Sequence, residues 1–199
     1  MNEKLAGLID QIEKLHAELD SEIARRREAL GFSLTGRLVE FEKEVLEQHR
    51  RLRTSLFKYI ADADLLTVLT APVIYALVVP IAFLDLCVTL YQHICFRAYG
   101  IQRVRRSDYV VIDRQHLAYL NGLEIFNCLY CGYANGVIAY AREIAGRTEL
   151  YWCPIKHARG AKGPHEHTLE FLEYGDAEGY RARLSAQRRG LENGRSGQS

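Results

Sequence analysis

A mainly α-helical chain, with a membrane segment and a small C-terminal α+β domain, is predicted by three features of the 199-residue sequence. Apolar residues recur at helical spacing through the N-terminal third. An uncharged stretch of bilayer length follows. Beyond it the composition turns mixed, and cysteines and histidines stand at metal-ligand spacing.

The averages conceal this organisation. Lys plus Arg number 26 against 25 Asp plus Glu, the net charge is +1, and the mean hydropathy is -0.16. These values exclude a collagen-like or wholly disordered chain. A near-neutral chain offers phosphates no net field, so nucleic acid is not an expected partner. Residues 1–30 are charged and helix-patterned and show no secretory signal. The five cysteines (Cys87, Cys95, Cys128, Cys131, Cys153) are odd in number. An odd count without a signal argues against a disulfide scaffold and for reduced thiols facing the cytosol.

Residues 1–62 form the first expected region. Leu5, Leu8, Ile9, Ile12, Leu15, Leu19 and Ile23 lie three or four apart, one stripe of a helix. Residues 31–36 interrupt the stripe, which resumes at Leu38, Phe41, Val45, Leu52, Leu56 and Ile60. The pattern predicts two amphipathic helices joined there, as an antiparallel hairpin or a bent coiled coil. Such a stripe is a core or an oligomer seam, so a second copy or a helical protein is the expected partner.

Residues 63–98 form the expected membrane segment. Leu65 to Leu84 reads LLTVLTAPVIYALVVPIAFL, without a charge. Such a run spans a bilayer once as a helix. Basic residues flank it: Arg50, Arg51, Arg53 and Lys58 before, Arg97, Arg103, Arg105 and Arg106 after. The positive-inside rule draws both flanks to the cytoplasm. The expectation is therefore a short helical hairpin, bent near Pro80 to Asp85, entering a cell (inner) membrane from its cytoplasmic face; a single span is the alternative. Asp85 and His93, two helical turns apart, interrupt the apolar region. They are candidates for function, or else mark the bend and the interface.

Residues 99–187 form the expected metal-binding domain. Asp108 to Asp113 (DYVVID) predicts a short strand. Residues 137–150 carry a helical stripe. Thr168 to Tyr174 predicts a strand or hairpin arm, and Asp176 to Gln187 a short helix. Residues 188–199 read as a disordered tail.

The chemistry concentrates in Cys128-Leu-Tyr-Cys131-Gly132-Tyr133 and Trp152-Cys153-Pro154-Ile-Lys-His157. Two residues between cysteines let both thiolates face one ion from a tight turn, and the glycine permits that turn. Cys128, Cys131, Cys153 and His157 make three sulfurs and one imidazole, a tetrahedral Zn2+ set. Thiolates also suit iron, the alternative metal. The two halves resemble the knuckles of rubredoxin and zinc-ribbon modules over residues 128–133 and 152–157. That resemblance implies metal thiolates at Cys128, Cys131 and Cys153, with His157 in place of the usual fourth cysteine. His165 and His167 form a second cluster, two imidazoles on one side of an extended segment. They offer a further chelating pair, an exchange for His157, an open catalytic site with Glu173 or Asp176, or an exposed loop.

The expected function is a membrane-associated protein with a structural zinc site, acting as an oligomerising or partner-binding module without an enzymatic reaction. The alternative is a redox or electron-transfer protein, or a metalloenzyme, using the Cys/His centre. Membrane lipid is the expected partner in both.

Overall fold

The computed structural model describes residues 3–30, 32–35, 38–41, 43–160, 162–183 and 186. The expected tail at 188–199 lies outside them. The chain divides into two compact units, Met1–Asp62 with Asp113–Phe126, and Ala63–Ile112 with Asn127–Ser199.

The first unit opens with α1 (Glu3–Ala29). Its apolar stripe is uncovered: Leu8, Ile12, Leu15 and Leu19 are all about half exposed or more. The second amphipathic helix expected from residue 38 does not begin there. β1 (Phe32–Thr35) pairs antiparallel with β2 (Leu38–Phe41), with Phe32 opposite Phe41 and Leu34 opposite Val39. Aromatic and β-branched residues close to a glycine favour this hairpin over helix. Two short helices follow, α2 (Lys43–Arg51) and α3 (Leu56–Ala61). Ser55 caps α3 by accepting from the Lys58 amide at 3.3 Å. His49 stands edge-on to both Phe41 and Tyr119, with ring centroids 5.4 and 5.0 Å away.

The second unit opens with one continuous helical run, Leu65–Tyr99. It comprises α4 (Leu65–Ala76), α5 (Val78–Tyr91), a π-turn (Gln92–Phe96) and α6 (Arg97–Tyr99). The expected reversal near Pro80 to Asp85 is absent: α5 runs unbroken through these positions, and Leu77 before it keeps a right-handed helical conformation (φ -64°, ψ -14°). Pro80 falls in the first turn of α5, where a missing amide costs little. The run ends at Gly100, whose positive φ of 74° terminates a helix without a Cβ penalty.

The last long helix is α7 (Gly122–Trp152). Asn121 accepts from the amides of Leu123 and Glu124 at 3.0 and 3.1 Å, and Glu124 accepts from the Asn121 amide at 2.8 Å. This reciprocal cap fixes the start of α7. Within the second unit α7 runs parallel to Leu65–Tyr99. Tyr75 meets Asn127, Tyr133 meets Asp85, and Tyr91 meets Thr148. A parallel pair needs a return crossover, which residues 101–112 supply as an irregular segment with one 3-10 turn, Arg106–Asp108. The crossover lies against the glycines of α7. A Cβ on Gly136 would sit 2.8 Å from Tyr109 O and Val110 Cα, and one on Gly132 would sit 3.4 Å from Val111 O. The strand expected at 108–113 is not formed: Asp108 ends a 3-10 turn, Tyr109 has a helical backbone conformation, and residues 110–113 are irregular backbone packed on a helix.

The core gathers where α5, the crossover and α7 meet. Phe96, Ile101, Val104, Tyr140 and Ile144 form it. Buried Gln92 bridges the same elements, accepting from the Val104 amide at 3.0 Å and donating to the Val104 carbonyl and to Tyr140 Oη. The expected C-terminal α+β domain is not formed. The helix expected at 137–150 is the second half of α7. Thr168 to Tyr174 is a short 3-10 helix (Glu166–Glu170) followed by one isolated bridge, Ile155 with Leu172. Residues 177–183 are helical.

Candidate functional site

The four expected metal ligands are distributed along and beyond α7. Cys128 and Cys131 sit within the helix, and Cys153 follows its last residue. At 1.5 Å per residue, Cys131 and Cys153 stand roughly 33 Å apart along the axis. A Zn–S bond is about 2.3 Å, so one ion cannot take both ends. The CxxC pair forms no knuckle because it continues a regular helix, where residues three apart share a face. All five thiols are free, and Cys131 and Cys153 are exposed. Among the described residues no three His, Cys, Asp or Glu side chains group to hold a metal. His157 lies with His165 on a cleft, away from the CxxC pair.

Asp85 and His93 also part company. Asp85 is buried at 9% exposure, and Arg106 grips it with two nitrogens, Nη2 at 2.7 Å and Nε at 3.0 Å. Tyr133 Oη donates to the same carboxylate at 3.0 Å. A fork-on-carboxylate pair with a third donor fills this acceptor and locks the crossover between α5 and α7. His93 faces outward and bonds to its own helix, Nδ1 to Thr89 O at 2.7 Å. The two are no relay. An aspartate in an apolar run demands a cation, but which of the nearby arginines returns to it depends on the course of the crossover.

His165 and His167 do come together, on α7. Their ring centroids are 5.8 Å apart, and each takes a separate glutamate. His165 Nε2 meets Glu149 at 2.8 Å, and His167 Nε2 meets Glu143 at 3.1 Å. Arg147 also binds Glu143, at 2.7 Å. Burial pushes the Glu143 carboxyl up, but the bonds from Arg147 and His167 outweigh it and hold the group below its ordinary value. Gly146 lets both imidazoles close on the helix, since a Cβ there would stand 3.1 Å from either ring. The pair works as a polar clamp that fastens residues 165–170 to α7. Each imidazole is committed to its own carboxylate, so they do not converge on one ion. Beside the clamp a cavity of about 330 Å3 opens, bounded by Arg142, Glu149, Lys156, His157, His165 and Phe171 among others. Glu143 and Glu149 were invisible as site residues in the sequence, where they are ordinary charges on a helix.

The chain matches no protein-family model, no curated protein and no solved structure.

Among the described residues, one helix is long and apolar enough to cross a membrane, Leu65–Tyr99, and 6% of its most apolar window is buried. Burial begins at Asp85 and continues through Gln92 and Phe96. The helix thus has an outer half, residues 65–84, that the chain scarcely covers, and an inner half that belongs to the core.

Proposed function

We propose that this chain is a membrane-embedded protein whose residues 65–84 lie in hydrocarbon and whose C-terminal part presents a binding surface at the membrane. The observation that carries the reading is the outer half of the 65–99 helix: Leu65, Leu66, Leu69, Val73, Val79 and Phe83 are each at least 64% exposed. Leaving such side chains in water forfeits about 1.5–3 kcal/mol apiece relative to burial. A bilayer removes that penalty. An uncharged helix of 20 residues is about 30 Å long, the thickness of the hydrocarbon layer.

The neighbouring elements support the same reading. α7 carries no charge from Ile125 to Ala141. Three of its polar side chains bond within the unit: Tyr130 Oη donates to Ile74 O at 2.8 Å, Asn127 accepts from Tyr75, and Tyr133 serves Asp85; the exposed Asn135 donates back to Cys131 O of its own helix at 2.9 Å. Outward it exposes Ile138, and the crossover exposes Val111 and Ile112. Satisfied polar groups inside and apolar side chains outside are what hydrocarbon requires. The parallel course of the two helices places the residue 65 end and the residue 142 end of this unit at opposite ends of the apolar layer. This reading gives up a cytoplasmic location for both flanks. Arg97, Arg103, Arg142, Arg147, Lys156, Arg159 and Lys162 favour the cytoplasm for the residue 142 end of a cell (inner) membrane.

The uncovered stripe of α1 offers a second surface, at the N-terminal end of the chain, for a helical partner or a second copy of this chain. A structural zinc at Cys128, Cys131, Cys153 and His157 does not form part of it, because the helix separates those ligands. The test is flotation of the full-length chain with lipid vesicles after an alkaline carbonate wash. Retention with the vesicles is the expected result, with release on substituting Leu69→Arg and Val73→Arg together. Release of the unaltered chain would overturn the proposal.

A further inference from the structure

The cavity beside the histidine clamp is built, charged and unused by the membrane reading. Its walls are α7 and the segment from Ile155 to Phe171. Its floor is pinned by backbone bonds across the isolated bridge, from the Lys156 amide to Leu172 O and from the Leu172 amide to Pro154 O, both 2.8 Å. One wall is fixed by His165, which is held by Glu149 and stands edge-on to Phe171 with centroids 5.4 Å apart.

The charged groups around this space are engaged differently. Glu149 bonds to His165 Nε2 at 2.8 Å, and Glu173 pairs with Lys156 at 2.5 Å. Arg142 has a different partner, the backbone carbonyl of Gly163 at 2.6 Å. Among the described residues no carboxylate pairs with it. A guanidinium has five N–H donors, so one carbonyl leaves most of its fork unused. His157 stands on the same rim and is exposed. The surfaces beneath are apolar, from Ile155 and Phe171. A concave, mainly apolar space with a few converging polar groups is the usual form of a small-molecule site, and 330 Å3 falls at the lower end of that class.

We propose that this cleft binds a small organic oxyanion, a phosphate ester or carboxylate on an apolar stem, with Arg142 gripping the anionic head and His157 as a second donor. The guanidinium fork matches either head group in a bidentate manner. The stem packs on Ile155 and Phe171. A soluble compound and a lipid head group could both carry such an anion.

The test is isothermal titration of the full-length chain in neutral detergent with three probes: phenyl phosphate, phenylacetate and dihexanoyl phosphatidate. Saturable binding of at least one probe is expected, weakened about tenfold or more by Arg142→Gln, the loss of one charge-assisted bond. Stronger binding of phenyl phosphate or phenylacetate assigns a soluble ligand, and stronger binding of dihexanoyl phosphatidate assigns a lipid. Circular dichroism confirms that the variant keeps its helices. Should Arg142→Gln misfold, Arg142→Lys serves, with an intermediate affinity expected because a point charge replaces a fork. No saturable binding by any probe, or equal binding by the wild type and a folded Arg142 variant, would overturn the proposal. Flotation with vesicles reads the anchor and not the cleft, so the two readings fail separately.

Discussion

Adding one methyl group at Gly132 or at Gly136 should change stability in opposite directions. Both glycines lie mid-way along α7, and both face the crossover. In a helix interior an alanine is favoured over glycine by about 0.8–1 kcal/mol. At Gly132 the new Cβ meets Val111 O at 3.4 Å, an ordinary contact, so the propensity gain survives. At Gly136 the new Cβ meets Tyr109 O and Val110 Cα, both at 2.8 Å. Both atoms are backbone, so relief requires the whole crossover to move. Overpacking of this kind costs about 1–3 kcal/mol, more than propensity returns. Gly132→Ala should therefore raise stability by about 0.5–1 kcal/mol, and Gly136→Ala should lower it by about 1–2 kcal/mol. For a chain of this size each kcal/mol moves Tm by about 2–4 °C. Thermal melts followed by circular dichroism in one detergent would read the two shifts. Equal shifts of the same sign would refute the packing of residues 109–111 on this face of α7.

Three further outcomes follow from the same geometry. Arg106→Ala strands the Asp85 carboxylate, whose side chain is 13% exposed, and should cost about 2–3 kcal/mol, below the fully buried range because the Arg106 side chain is 44% exposed. Adding Asp85→Asn should recover part of that loss in the same melts. Glu143 has a folded pKa below its ordinary 4.5, so its contribution is complete above that value and is lost as pH falls through the folded one. Glu143→Gln should therefore melt earlier at neutral pH and show a flatter decline on the acid side; an unchanged acid limb would count against the clamp. Treatment of the purified chain with a strong chelator should leave its helical circular dichroism unchanged, since no single ion joins Cys131 to Cys153. Melting of the region beyond residue 107 on chelation would restore the zinc expectation.

The helical class and the apolar segment were legible because their signals are local and periodic. Leu5 to Ile23 repeats at helical spacing, and Leu65 to Leu84 lacks any charge. Of the paired strands, Phe32–Thr35 falls in the expected break at 31–36 and Leu38–Phe41 in the stripe of the expected second helix, since four-residue strands are too short to stand out against the stripes on either side. The metal reading failed to assemble for a different reason. CxxC and CPxxxH carry ligand types and spacings, but spacing acquires meaning from the backbone between. Asn121 and Glu124 cap a helix that runs unbroken to Trp152, and that rod holds the two halves apart. The clamp was half visible. His165 and His167 were marked as a pair, whereas Glu143 and Glu149 became their partners only when the chain folded back along α7. Asp85 announced a need for a cation, and the crossover decided that Arg106 answers it.

The embedding of residues 65–84 is tested most directly by chemical accessibility. A single cysteine placed by Val79→Cys, in a chain whose five native cysteines are replaced by serine, would be challenged with a membrane-impermeant maleimide in native vesicles opened to both faces. Lys14→Cys, on the polar face of α1 with a side chain 72% exposed, serves as the reactive control. Shielding of position 79, with full labelling at position 14, is the expected result. Labelling at position 79 as fast as at position 14 would contradict the membrane reading.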